Sequence, residues 1–289
     1  MLRINVVTIF PEFFAEPLAL SIPAKAALAG SVSYHTVNLR DFTYDRHKTV
    51  DDTPCGGGPG MVMKPGPFFE AVEFLGATAP IVLLSPRGRR FSHADAVRFA
   101  ASTELTLLCG HYKDVDERVA THLATEVLSL GDFVLSGGEA AALAIIDATV
   151  RLLPGAMSDI ESARTDSFYD RGISAPSYTR PVEYRGLRVP DVLIGGDHAK
   201  VAAWRDGESL RRTREAEARD REVWTAREAE IAAREAVIAE AERVRAEKAA
   251  KKAREKAAKA RVRAREAARV AAANAADHDA SADDDEPSL

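Results

Sequence analysis

The first half of the chain predicts an α/β fold, a parallel sheet flanked by helices. Three observations carry that expectation. Over residues 1–153, short β-branched or apolar runs alternate with segments of helical period. Two of the runs, "IVLLSP" (81–86) and "LTLLCG" (105–110), are apolar without alternation, as strands covered on both faces are. Each closes in a turn residue, and a third apolar exit, "LGDFVLSGGE" (130–139), opens a helix.

The elements follow in order. "RINVVTIF" (3–10) is short and β-branched, a first strand. "PEFFAEPLALSIPAKAALAG" (11–30) holds two short helical pieces ended by Gly30. "SVSYHTVNL" (31–39) alternates and reads as a second strand. The two apolar runs are central strands, and "SHADAVRFAA" (92–101) between them is a helix with Ser92 as N-cap. "EVLSL" (126–130) and "FVLS" (133–136) are expected to add short strands. "GGEAAALAIIDATVRLL" (137–153) is a long apolar helix stopped by Pro154-Gly155.

Beyond Pro154 the pattern dissolves into polar, Pro- and Gly-containing sequence, a linker with irregular structure as far as about Pro190. A short second unit, "VPDVLIGGDHAKVAAWRDGESL" (189–210), follows. From Glu208 to Glu286 there is neither Pro nor Gly, and the Ala-, Arg-, Glu- and Lys-rich sequence should be helical to about Val270. Trp224, Ile231 and Ile238 recur every seven residues, but one apolar heptad position is too thin for a coiled coil. A solvated single helix is the plainer reading of this tail, and a basic arm touching RNA the sharper one. "DHDASADDDEPSL" (277–289) is expected to be disordered.

Composition narrows the function classes. The 289 residues are 46% hydrophobic, enough for one large domain or two modest ones. No apolar run approaches the roughly 20 residues of a membrane helix, and the N-terminus lacks the pattern of a signal peptide. Two cysteines, Cys55 and Cys109, are too few for a disulfide framework, so a reducing, cytoplasmic setting is expected. The net charge of −5 is strongly patterned. Residues 1–210 carry 20 Lys and Arg against 26 acids; residues 243–270 carry 12 against 3; residues 277–286 carry 6 acids and no base. An RNA partner would therefore meet a local patch of the body.

Three glycine-bearing exits, 83–88, 108–112 and 130–139, would converge at the carboxyl ends of parallel strands, where open sheets bind ligands. They offer backbone N–H and C=O groups with no Cβ in the way. Neither a Walker lysine nor a GxGxxG fingerprint accompanies them, so a small adenine ligand without phosphates fits better than a nucleotide. Taken singly, each exit is an ordinary tight turn; only the three together point to a site. The loop "DFTYDRHKTVDDTPCGGGPGMVM" (41–63) packs Asp41, Asp45, Arg46, His47, Lys48, Asp51 and Asp52 ahead of Gly56-Gly57-Gly58-Pro59-Gly60. It is either a mobile surface loop or a holder for a guanine edge and its phosphates. Cys109-Gly110-His111 has no second pair at zinc spacing, and His93, His122 and His198 are scattered, so no metal site is expected.

"FTYDRHKTVDD", "GGGPGMVM", "LSPRG", "CGHYKDVDERV", "GDFVLSGGE" and "ARTDSF" occur in this order at fitting distances. Together, over roughly residues 1 to 210, they resemble the bacterial tRNA (guanine-N1)-methyltransferases, of the SPOUT class, which methylate the guanine 3′ of the anticodon (position 37). The resemblance implies that the exits form a deep C-terminal trefoil knot cradling S-adenosylmethionine. It assigns Leu84, Ser85, Pro86 and Gly88 to one wall, Gly110 and Tyr112 to another, and Leu130, Gly131, Asp132, Phe133, Val134 and Leu135, closed by Gly137 and Gly138, to a third. It implies Asp166 as the base that takes the guanine N1 proton and Arg151 as the cation that stabilises charge spreading toward O6. Arg46, His47, Asp51, Gly56, Gly57, Gly58, Pro59 and Gly60 are its RNA-contacting residues. It further implies a homodimer in which the linker carries Asp166 over the partner's cofactor.

The division expected on this basis is a catalytic domain (1–153), a linker carrying Asp166 (154–175), a short C-terminal tRNA-binding domain (176–212), a charged helix (213–272) and an acidic tail (273–289). Two departures stand out. Relatives carry Glu-Gly where this chain has Lys113-Asp114, which leaves a role for magnesium open. After Leu210 the chain runs straight into the charged helix, so the tRNA-gripping domain is expected to be shortened. Two other classes compete: an adenine-nucleotide enzyme, which would want a phosphate cradle, and a non-catalytic RNA binder, which would need neither "GDFVLSGGE" nor "TDSF".

Overall fold

Residues 1–157, 165–169 and 172–280 are described by this computed structural model; parts of the expected linker (158–164, 170–171) and of the acidic tail (281–289) lie outside the described residues. Strand β1 (Leu2–Thr8) leads through a 3-10 turn (Pro11–Phe14) into helices α1 (Ala15–Leu18) and α2 (Ser21–Leu28), then β2 (Val32–Asn38). The charged loop carries β3 (Asp51–Asp52) and β4 (Val62–Met63) and leads into α3 (Pro65–Leu75). There follow β5 (Ile81–Arg90), α4 (His93–Ala100), β6 (Glu104–Cys109), β7 (Asp114–Val115), β8 (Glu126–Ser129) and α5 (Glu139–Val150). The main sheet has the order β2-β1-β6-β5-β8, and every pairing in it is parallel. A small second sheet joins β3, β4 and β7.

Period-two alternation sorts the strand side chains into two cores. Leu2, Ile4, Val6, Val82, Leu84, Leu105 and Leu107 pack on one face with Ala26 of α2, Phe99 of α4 and Ile145, Ile146 and Val150 of α5. Val7, Ile81, Leu83 and Leu108 face the other side, against Phe68, Ala71 and Val72 of α3. Both faces being covered is what unbroken apolar strands require. Helix α3, unassigned in the sequence reading, is thus the element that covers the second face. Pro65 at its first position and Gly76 in the left-handed region at its end mark it.

Other expectations hold with shifted limits. Ser92 caps α4 in a reciprocal capping box with Asp95. Strand β5 runs on to Arg90, and both Leu84 and Arg89 lie opposite Leu128 of β8, so Ser85–Gly88 stand out of register. Helix α5 ends at Val150; Leu152 and Leu153 donate to Thr149 and Val150 in a tightened turn ahead of Pro154.

One expectation is corrected: "FVLS" is no strand. Its residues have no ladder partner, glycines flank it on both sides, and Phe133, Val134 and Leu135 are exposed at 55%, 81% and 42%.

The C-terminal part of the described chain opens with a hairpin of β9 (Glu183–Tyr184) and β10 (Leu187–Arg188), turned by Arg185 and Gly186 at positive φ. A 3-10 turn (Asp191–Leu193) and helix α6 (His198–Ala280) follow. The chain divides into two units, Met1–Arg212 and Thr213 onward. No described helix is long and apolar enough to cross a membrane.

Candidate functional site

The three glycine-bearing exits meet. A pocket of about 660 Å³, open to solvent, is lined by Leu84, Ser85 and Pro86 from the first exit, Gly110 to Val115 from the second, and Leu128 to Leu130 with Phe133 to Gly138 from the third; Ala141 of α5 closes it. Backbone bonds join the second and third exits: Gly138 N–H donates to the Gly110 carbonyl at 2.8 Å, and His111 bridges Gly137. The first and second are joined by charge, with Arg87 3.2 Å from Asp114 and 2.7 Å from Glu117.

The glycines are required by contact. A Cβ on Gly138 would stand 2.8 Å from the Cys109 Cα, and one on Gly137 would lie 2.2 Å from Glu139 Oε2 and 2.5 Å from His111 Nδ1. Gly88 is pressed on β8, where a Cβ would come within 2.5 Å of the Val127 carbonyl carbon. Tyr112, at φ 62°, holds a left-handed conformation that side chains rarely adopt, a form of strain that clusters at binding sites.

The lining is mostly apolar. Lys113 and Asp114 are its only charged residues, and Asp114 already faces Arg87. Beneath it lies a buried polar layer. Thr8 donates to Glu139 Oε1 at 2.7 Å, the His111 ring stands edge-on to Phe10 and Tyr112, and His111 Nδ1 is buried without a partner. Burial first, and the Glu139 charge second, push the Cys109 thiol well above its ordinary range, so it is a packing group.

Eleven of the cofactor residues expected from the sequence line this pocket: Leu84, Ser85, Pro86, Gly110, Tyr112, Leu130, Phe133, Val134, Leu135, Gly137 and Gly138. Gly88, Gly131 and Asp132 do not. Gly88 serves strand packing, a Cβ on Gly131 would meet the Phe133 ring, and Asp132 pairs with Arg90. Sequence reasoning left out His111, Lys113, Asp114, Val115, Leu128, Ser129, Ser136 and Ala141 as lining residues and Glu139 beneath them. Position beside the glycine turns was the signal available for all nine.

Asp166 and Arg151 come together, Arg151 Nη2 donating to Asp166 Oδ2 at 2.6 Å. Arg151 caps the C-terminus of α5, whereas Gly138 caps its N-terminus. At 1.5 Å per residue, Arg151 stands roughly 15 Å along the helix axis from Ala141, the last residue of α5 to line the pocket.

The charged loop reaches the pocket wall. Lys113 N–H donates to the Met61 carbonyl and Asp116 N–H to that of Met63, both at 3.0 Å, and β4 pairs with β7. A Cβ on Gly60 would stand 3.1 Å from the Lys113 Cβ. Arg46, His47 and Gly56 to Gly60 are exposed and Asp51 is half-buried. Asp45 accepts from His47 N–H and from both donors of Thr49, which folds the loop's first half on itself and holds its carboxyl below the ordinary range.

Comparison with known proteins places the chain beside a family of RNA-modifying enzymes. The family described as tRNA (Guanine-1)-methyltransferase TrmD matches residues 2–220. A tRNA (guanine-N(1)-)-methyltransferase of Gloeobacter violaceus is 52% identical over 217 residues, 74% of this chain and 96% of that protein. Proteins of the same name from Geobacillus kaustophilus and Synechococcus elongatus are each 46% identical, covering 73% and 80% of this chain and 88% and 99% of their own lengths.

Proposed function

The chain belongs to the tRNA (guanine-N1)-methyltransferase family, and on that footing we propose that it methylates N1 of the guanine at position 37, 3′ of the anticodon, from S-adenosylmethionine. One observation carries this reading: a glycine-walled pocket at one end of α5 and an acid–arginine pair at the other.

The pocket fits the methyl donor. Its walls are apolar, its glycines leave peptide groups bare, and it offers one unopposed cation, Lys113, which suits a ligand with an adenine face and no phosphates. Leu84, Ser85, Pro86, Gly110, Tyr112, Leu130, Phe133, Val134, Leu135, Gly137 and Gly138 would hold it, and bound there it supplies an electrophilic methyl group. The out-of-register passage at Ser85–Gly88 and the seating of Gly88 on β8 support a knotted path for this segment. Magnesium does not fit. The single carboxylate in the lining, Asp114, is engaged by Arg87, and among the described residues no group of three His, Cys, Asp or Glu could hold a metal. No step is assigned to it.

Guanine N1 carries a proton and is a poor nucleophile until that proton leaves. Asp166 accepts it, a role a placed carboxylate fills at gains of about 10² to 10⁴ in rate. Charge then spreads toward O6, where the Arg151 guanidinium, already held beside Asp166, stabilises it. The charged loop, tied to the pocket wall at Lys113, would carry the tRNA backbone past the site through Arg46 and His47, with Gly56 to Gly60 allowing close approach.

Because α5 keeps the pair and the pocket of one chain apart, the working site joins the pocket of one chain to the pair of a second. A twofold homodimer supplies two such sites. Phe133, Val134 and Leu135, apolar and exposed beside the pocket, suit cover by that partner.

Titration calorimetry with S-adenosylmethionine, followed by methylation of tRNA transcripts bearing guanine or adenine at position 37, tests the reading. Donor binding with transfer to the guanine transcript alone is expected. No donor binding, or equal transfer to both transcripts, contradicts it.

A further inference from the structure

The family match ends at residue 220, and the strongest concentration of positive charge lies beyond it, 12 Lys and Arg against 3 acids over residues 243–270. Earlier in α6 the cations have acidic neighbours: Arg211 sits 2.7 Å from Glu208, and Arg243 sits 3.0 Å from Glu240. Past Glu247 this pairing stops. Lys248, Lys251, Lys252, Arg254, Lys256 and Lys259 are exposed and make no ion pair among the described residues.

Spacing turns these charges into a surface. Arg245, Lys248, Lys252, Lys256 and Lys259 recur at intervals of three and four, one stripe on an α-helix, with successive charges about 4.5 to 6 Å apart along the axis. Like charges so spaced destabilise a helix unless a polyanion or counterions neutralise them. Between the cations stand six alanines and two glutamates, Glu247 and Glu255, without the Trp, Phe or Leu with which an interfacial helix enters a lipid surface. The body supplies a reason for such a stripe. Residues 1–210 carry 20 bases against 26 acids, a field that repels the polyanion this enzyme must bind.

We propose that residues 245–259 form an RNA-contacting arm that neutralises phosphates of the tRNA substrate without reading its bases. The inference rests on the tRNA-methyltransferase reading for the identity of the RNA. Contacts of this kind release counterions, so the arm acts on affinity and its salt dependence and leaves the chemical step alone.

The test uses the full-length chain with Arg245→Gln, Lys248→Gln, Lys252→Gln, Lys256→Gln and Lys259→Gln together, since glutamine retains helix propensity. Affinity for unmodified tRNA is measured from about 50 to 200 mM salt, and kcat at saturating tRNA. The slope of log affinity on log salt should shrink by about 3.5 to 4.5, from five lost phosphate contacts, with kcat unchanged. A slope reduced by less than about 2 overturns the proposal. A companion chain with Lys→Arg at the four lysines should keep the original slope; if it loses the slope as well, shape rather than charge is at work and the proposal fails. Sedimentation with phosphatidylglycerol vesicles runs in parallel. Loss of vesicle binding with the tRNA slope intact would make a membrane the partner and also overturn it. Methylation by the unaltered chain is read separately, so failure of the enzymatic reading leaves the slope comparison standing.

Discussion

Gly138 and Asp166 carry the proposed reaction at the scale of single residues. A methyl on Gly138 would meet backbone at 2.8 Å from the Cys109 Cα, and backbone yields less readily than a side chain. Gly138→Ala should therefore cost about 1 to 3 kcal/mol in urea unfolding and weaken donor binding measured by calorimetry. Asp166 is different, because its carboxylate is half exposed and holds up nothing in the core. Asp166→Ala should leave the unfolding midpoint and donor affinity near those of the parent while kcat falls on the order of 10²-fold or more. Retained turnover would reject the base assignment. How legible were these residues? The glycines were legible as places where backbone lies bare, but not why each is needed. Gly88 answers to strand β8 rather than to a ligand, and only the fold sets it so close that a Cβ there would stand 2.5 Å from the Val127 carbonyl carbon. Asp166 reads as an ordinary linker acid until its motif is recognised. Its 2.6 Å contact with Arg151, fifteen residues away in sequence, is a tertiary fact.

Elements were legible wherever local periodicity and burial agreed. The continuous apolar runs are central strands, and Ser92 caps α4. "FVLS" misled because apolar residues beside a pocket look like a strand when no ladder partner is visible. Helix α3 escaped because its start, Pro65-Gly66-Pro67, reads as a loop, although Pro at the first helical turn costs no hydrogen bond. At α4 the capping carboxylate gives a test. Asp95 is buried, bonds Ser92 N–H and Oγ, and pairs with Arg89 at 2.7 Å and Arg98 at 3.1 Å. The Arg89 guanidinium holds its carboxyl well below the usual range. A carboxylate so depressed contributes stability that is complete above its unfolded pKa and is lost as pH falls through the folded one. Asp95→Asn should thus cost about 1 to 3 kcal/mol near neutral pH, as loss of a cap and of a largely buried ionic partner does. The gap between parent and variant should narrow once the pH drops below 3.8, the carboxyl's ordinary value. Urea unfolding at a series of pH values reads both effects, and a gap that widens on acidification would contradict the assignment.

At the scale of the whole molecule, the chain separates what the proposed reaction joins. The pocket sits at the N-terminal end of α5, where Ala141 lines it, and the acid–arginine pair follows Val150 at the other end. Sequence order alone conceals this, because Gly138 and Arg151 are only thirteen residues apart; helical rise turns that interval into distance. In the proposed homodimer each site takes its pocket from one chain and its pair from the other. Two chains, each dead by itself, should then repair one another. Ser136 is exposed on the pocket rim, so Ser136→Trp fills the pocket without entering either core. Co-expressed with Asp166→Ala, it forms mixed dimers holding one intact pocket facing one intact pair. Methylation of guanine-37 tRNA by the co-expressed mixture should return to about a quarter of the parent rate, as random twofold pairing dictates, while each variant alone stays inactive. A mixture no more active than its components, with mixed dimers present, would contradict the shared site.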